Sequence, residues 1–261
     1  MIKVKKAEPR KHKRWVLGGE PDIGKSTAAT KICDNGLWLD LDGRIPDEVT
    51  EKCNVYPLVM TFNSLKVALK DILEDKDTFP YNGLVIDTMT ILESMARDHS
   101  IEQDYNGNTN NYADYSKGDK NNLPIYINSI LSLLDRIGDK RGIDVVIICH
   151  SDIKPEKNPN GENYDKVSLC LTKNVRARLM QWADYVGFAW KDVKVETVGM
   201  SKVAKTGTRM ISFCNSPKWD AKGSDIPQVE FDIDGNWIKG LKAAPVVEVA
   251  KKSGLVTKEH K

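Results

Sequence analysis

The chain has 261 residues, 40% of them hydrophobic and 29% charged, with a formal net charge of +2. That length fits one large α/β domain or two small ones, and the apolar share is enough for a true core. A charge this close to neutral does not by itself mark a nucleic-acid binder. The five cysteines (Cys33, Cys53, Cys149, Cys170, Cys214) contain no C-x-x-C pair, which argues against a zinc site and for a reducing compartment.

Residues 1–13 read as a basic arm holding Lys3, Lys5, Lys6, Arg10, Lys11 and Lys13. Such a segment is either a solvated chain end or an arm lying near a nucleic acid. No apolar h-region follows it and no run approaches the length of a membrane span, so the expectation is a soluble cytoplasmic protein with no membrane partner. Arg14 to Gly18 predicts a short buried strand and Lys25 to Cys33 a helix. Leu37 to Asp40 ("LWLD") predicts a second strand running into "DLDGR". Val55 to Met60 predicts a third, placed at an edge because of Pro57. Asn63 or Ser64 is positioned to cap a helix through Leu73, whose apolar stripe is Leu65, Ala68, Leu69 and Ile72.

Leu84 to Asp87 is a continuous apolar strand of the kind buried on both faces of a parallel sheet. Thr90 opens a helix, and the polar stretch 104–122 reads as a long loop. Leu123 to Ile137 returns to helical spacing. Asp144 to His150 ("DVVIICH") is the most hydrophobic strand, and 151–166 reads as a second polar loop. Thr172 to Ala183 predicts a helix. From Tyr185 the pattern turns to short strands and turns. The order is repeated βαβ with a β-rich end, which predicts a mostly parallel α/β sheet flanked by helices with a C-terminal hairpin extension. With no linker interrupting it, one domain over residues 14–238 is expected, followed by a tail at 239–261.

The most specific signal is Gly19, Glu20, Pro21, Asp22, Ile23, Gly24, Lys25 and Ser26, which matches G-x-x-x-x-G-K-[ST] in full. Glycines let successive N–H groups turn toward phosphate oxygens, and the helix that follows aims its positive dipole end at the same charge. Lys25 would reach the β- and γ-phosphates of ATP, the Ser26 hydroxyl would ligate Mg²⁺, and Thr27 continues the loop into the helix. A triphosphate site also needs an acid at a neighbouring strand end to support the metal. Asp87 in "GLVIDTMT" supplies it; the bland alternative is an Asp that caps the next helix.

Together "GGEPDIGKST", "LWLDLDG", "LVIDTMT", "VVIICHSD" and "SPKWDAKG" resemble the RecA-like core of P-loop ATPases, and within it the phage-type family of nucleotide-binding AAA domain proteins. The resemblance implies a RecA-like P-loop fold and an ATPase acting in phage or prophage recombination or single-strand annealing. It also implies a homo-oligomer in a bacterial host, with a phage single-strand-binding or annealing protein as a possible partner. It places a catalytic acid just after the second strand, where Asp42 falls in position and Asp40 lies two residues earlier. A turn before Gly43 explains both acids equally well.

The same resemblance puts a γ-phosphate sensor at His150. It puts a Lys-x-Arg that reaches a neighbour's nucleotide near Lys222, where this chain reads Lys-Gly-Ser. It implies single-stranded DNA contacts from two loops. One would be 104–122 with Tyr105, Tyr112 and Tyr115; the other would follow His150, with Lys154, Lys157 and Lys166 and, beyond it, Lys173, Arg176 and Arg178. Two other classes stay open: a module in which bound ATP only orders loops for assembly, and a P-loop kinase, which the absence of arginine in 151–166 disfavours.

Overall fold

The computed structural model describes residues 12–75, 79–198, 201–223 and 230–238. All but the last two residues of the basic arm, and the whole 239–261 tail, lie outside the described residues. The elements follow in chain order as Arg14–Gly19 (β1), Lys25–Ile32 (α1), Leu37–Asp40 (β2), Asp47–Thr50 (α2), Asn54–Val55 (β3), Phe62–Glu74 (α3), Gly83–Asp87 (β4), Met89–Tyr105 (α4), Thr109–Ala113 (α5) and Leu123–Arg141 (α6). Asp144–Glu156 (β5), Tyr164–Leu169 (β6), Lys173–Trp182 (α7), Tyr185–Val198 (β7), Ser201–Ser212 (β8) and Glu230–Asp232 (β9) complete them.

The sheet order is β3-β2-β4-β5-β1-β7-β8-β9. From β3 to β7 every neighbouring pair is parallel, and β8 and β9 add on antiparallel. The apolar runs that predicted buried strands are the central ones: Leu84, Val85, Ile86 and Val145 to Cys149 are all buried. Strand periodicity sorts their side chains onto two faces. Leu37 and Leu39 pack with α3, α4, α6 and α7, while Trp38, Val85, Val146 and Ile148 pack with Ala28 and Ala29 of α1 and with Cys33 at its C-cap. The result is an α/β fold of the P-loop NTPase type with helices on both faces. Among the described residues no helix is long and apolar enough to cross a membrane.

Four local expectations are corrected. The third strand is two residues, not six. It is the sheet edge, where pairing ends with Tyr56 N donating to Trp38 O just before Pro57. The stretch 104–122 is not an open loop: α4 continues to Tyr105, and α5 is followed by a 3₁₀ turn at 114–116 and a π-helical turn at 118–122. Its order comes from polar pairing in place of apolar periodicity. Asp104 accepts from Ser100, Asn122 and Tyr126, and Tyr112 donates to Asp119 at 2.7 Å. The second polar stretch is a hairpin, with Ser151 to Glu156 of β5 pairing antiparallel to β6. The β-rich end is two long strands, β7 and β8, rather than several short ones.

The start of α3 is also displaced from the expected cap. Thr61 is the N-cap: its hydroxyl accepts from Ser64 N at 3.1 Å, while Ser64 Oγ accepts from Thr61 N at 3.0 Å. Both exchanges satisfy backbone donors at the helix start that would otherwise be unpaired. Thr61→Ala should therefore cost about 1 kcal/mol of stability in urea unfolding, and Asn63→Ala only a few tenths. Equal effects from both substitutions would contradict the cap assignment.

Candidate active site

The C-terminal ends of β1, β2, β4 and β5 lie side by side. Register places Gly19 opposite His150 and Asp40 opposite Asp87, with Ile148 on the other side of Asp87. In open parallel sheets ligands gather at this edge. From Gly19 the chain leaves the sheet, and Ile23, buried in the α1-side core, pegs the loop down. Glu20, Pro21 and Asp22 are exposed. Gly24 has φ 97° and is the N-cap of α1, a conformation that a β-carbon would strain. A cleft of about 400 Å³ opens here, lined by the loop from Pro21 to Thr27 and by Asp40, Asp42, Asp87 and His150.

Lys25 is buried, and its ammonium donates to Gly19 O at 3.1 Å and Glu20 O at 2.5 Å. Burial pulls its pKa below the ordinary lysine value, against the opposing pull of the Asp87 charge. Ser26 Oγ donates to Asp87 Oδ2 at 3.2 Å. The Asp87 carboxyl is raised to about 6, first by burial and then by the charges of Asp40 and Asp42, against the Ser26 bond and Lys25. Among the described residues no three His, Cys, Asp or Glu side chains are grouped to hold a metal. The Ser26 hydroxyl and Asp87 carboxylate alone fit a hard cation that arrives with most of its shell as phosphate and water, the usual binding mode of Mg²⁺.

The remaining predicted residues separate clearly. Asp40 is committed to the turn, its Oδ1 accepting from Asp42 N at 3.1 Å and Gly43 N at 2.8 Å. Asp42 faces the cleft, 3.7 Å from Arg44, whose guanidinium is 82% exposed. His150 lines the cleft, with its N–H donating to Thr90 Oγ1 at 3.4 Å and its buried Nδ1 unpartnered. Burial and the Lys25 charge lower its pKa, favouring the neutral ring. Lys222 is not brought to the cleft. Its ammonium donates to Met180 O at 3.1 Å and Ala183 O at 2.6 Å, capping the C-terminal end of α7. Sequence reasoning missed Arg44 and Arg209, which also line the cleft. Arg44 follows the acidic turn directly and was within reach of a local reading; Arg209 left no local signal, since β8 reaches the loop only through the folded sheet.

The raised Asp87 pKa has a stability consequence. A carboxyl whose folded pKa lies above its unfolded value near 3.8 favours the fold below that value, and this contribution is lost as pH rises through about 6. Without metal or nucleotide, Asp87→Asn should be the more stable form at pH 8, by about 2–3 kcal/mol at most, and the difference should vanish toward pH 4. Urea unfolding across that range checks this. A pH-independent difference would mean that Asp87 titrates normally.

A family model described as an AAA domain matches residues 11–224. That span holds the glycine-rich loop and the strand ends that carry Asp42, Asp87 and His150. A search of the curated proteins finds no match. With a match over most of its length and a cleft built from the glycine-rich loop, a buried lysine and a strand-end aspartate, the chain belongs to the AAA-domain family of P-loop ATPases.

Proposed function

We propose that the chain is a Mg²⁺-dependent ATPase that couples hydrolysis to single-stranded DNA binding. It would act as a homo-oligomer in phage or prophage recombination or strand annealing, beside a phage single-strand-binding or annealing protein. The observation that carries the coupling is the length of β5. One continuous strand, Asp144–Glu156, passes through the buried sheet, presents His150 at the cleft and continues into the exposed hairpin with β6. A ring that meets the γ-phosphate at one point of this strand is mechanically joined to the hairpin, whose pairing begins at the next residue, Ser151, so loss of the phosphate has a direct route outward.

The side chains left for DNA differ from the expected set. Lys154 donates to Leu169 O and Leu171 O, Lys166 and Arg176 pair with Asp220, and Tyr105 and Tyr112 bond inside their own helical segment. Lys157, Lys173 and Arg178 are exposed, as are Tyr164 and Tyr115, the last at 82%. These are suited to phosphate contact and base stacking. For self-assembly, the β7–β8 arm offers exposed Val193, Val195 and Val203.

At the cleft, ATP with Mg²⁺ supplies the reacting phosphate and the charge that the acids face. Lys25, released from the loop carbonyls, would neutralise phosphate oxygens; Ser26 and Asp87 would hold the metal; and Asp42 would orient the attacking water and accept its proton. Asp42→Asn should keep ATP binding and lower turnover by about 10²–10⁴-fold. Asp40→Asn, whose amide oxygen still accepts the two turn N–H groups, should lower turnover far less. The reverse order would move the acid role to Asp40.

Coupling is tested by titrating a labelled oligonucleotide with ATP analogue, with ADP and without nucleotide. Wild type should show distinct affinities in the three conditions. His150→Ala should bind ATP yet give one affinity throughout, and Lys25→Ala should lose ATP binding. Turnover that oligonucleotide leaves unchanged, together with nucleotide-independent DNA affinity in wild type, would reduce the reading to an ATPase without a DNA switch.

A further inference from the structure

Asp40, Asp42 and Asp87 line the cleft from the ends of β2 and β4, with Arg44 beside Asp42; a second arginine lines it from β8. Arg209 lies on β8 opposite Lys191 of β7, two strands away from the phosphate loop strand. Its Nε and Nη2 donate to the two oxygens of Asp234 at 3.1 and 2.6 Å. Its Nη1 sits 3.1 Å, and its Cζ 3.5 Å, from the point a β-carbon on Gly24 would occupy. The guanidinium therefore lies over the loop's second glycine, at the N-terminus of α1.

Asp234 is itself fixed. Asp232 Oδ1 accepts from Asp234 N at 2.9 Å, Gly235 N donates to Asp232 O, and Ile233 N donates to Arg209 O at 2.9 Å. Lys31 of α1 donates to Ile233 O at 2.6 Å and Gly235 O at 3.0 Å. The turn that orients Arg209 is thus tied to the same helix whose N-terminus faces the cleft. A guanidinium offers its donors in a rigid planar fork. Asp234 takes one edge of that fork, which leaves Nη1 to serve an acceptor entering over Gly24.

We propose that Arg209 is a nucleotide-binding residue supplied in cis by the C-terminal strands, that it contacts the α-phosphate, and that Asp234 is its positioning residue. An anion held by Lys25, with its metal at Ser26 and Asp87, would have its metal-bound phosphates at the ends of β2 and β4. The end remote from the metal would then pass Gly24 toward β8, within reach of Arg209. The inference rests on nucleotide binding at this cleft and not on coupling to DNA.

The test is calorimetric titration of Mg·ATP and of ADP, with no oligonucleotide present, into wild type, Arg209→Ala, Arg209→Lys, Asp234→Asn and the Arg209→Ala/Asp234→Asn double variant. Thermal melts check folding, and Lys25→Ala serves as the binding-deficient control. Arg209→Ala should weaken ATP and ADP by the same factor, about 10-fold or more. Arg209→Lys should recover only part of it, because an ammonium lacks the planar fork that holds Asp234 along one edge while presenting Nη1 to the phosphate. Asp234→Asn should weaken both ligands in wild type and add nothing once Arg209 is gone. Wild-type affinities in Arg209→Ala would overturn the proposal. So would a loss confined to ATP, which would put the guanidinium at the γ-phosphate, or an Asp234 effect that persists without Arg209. Since every titration omits DNA, failure here leaves the coupling reading standing, and failure of coupling leaves this one.

Discussion

The Lys25 ammonium is held at the mouth of a parallel sheet by two carbonyls of its own loop, Gly19 O and Glu20 O. A charge out of water must be given partners or it is lost to deprotonation or unfolding. Here the partners come from a backbone curled so tightly that Gly24 takes a left-handed conformation and Ile23 is driven into the core beneath. The loop can hold that shape because β1, from which it springs, is clamped between β5 and β7 along nearly its whole length. The same clamp fixes His150 opposite Gly19 and, through β4, sets Asp87 within reach of Ser26.

The cleft brings charges of both signs together. Asp87 is pushed up to about 6 first by its burial, with the charges of Asp40 and Asp42 adding to it. Arg209 lines the cleft from β8, Arg44 stands beside Asp42, and Lys25 is in the loop. These charges suit an anionic ligand that carries a divalent cation. They also mean that the protein without ligand holds unfavourable electrostatics at its functional edge, a pattern expected where preorganisation serves binding or chemistry rather than stability.

Two structures lead away from the cleft. β5 runs from the buried core past His150 into an exposed hairpin, so a change at the ring is transmitted along a single hydrogen-bonded strand. β8 and the turn after β9 return from the other side of the molecule to place Arg209 over the loop, secured to α1 by Lys31. Glu93, buried on α4, accepts from both the N–H and the hydroxyl of Thr172 at the start of α7. The helix that follows Asp87 is thereby joined to the helix that carries Lys173 and Arg178.

What could be read from the chain alone was whatever local chemistry or periodicity writes down. The glycine-rich loop has fixed spacing because phosphate binding demands it, the strands around Val85 and Ile147 are apolar because both faces are covered, and Asp87 stands out as a charge ending such a run. The polar stretch at 104–122 was misread because its order comes from Tyr112–Asp119 and Tyr105–Asn122 pairing, which has no sequence period. The polar stretch at 151–166 reads as a loop because its strand pairing carries no apolar alternation, and Lys154 and Lys166 are absorbed by backbone carbonyls and Asp220 while Lys157 stays exposed. Local spacing and periodicity were enough for the fold class and the residues of the phosphate loop. Packing alone settled that Asp40, though it lines the cleft with Asp42, also holds a turn, that Lys222 caps α7, and that Arg209 lies over Gly24. Those assignments depend on which strand ends become neighbours, and strand order is settled by the packing of whole faces rather than by any short run of residues.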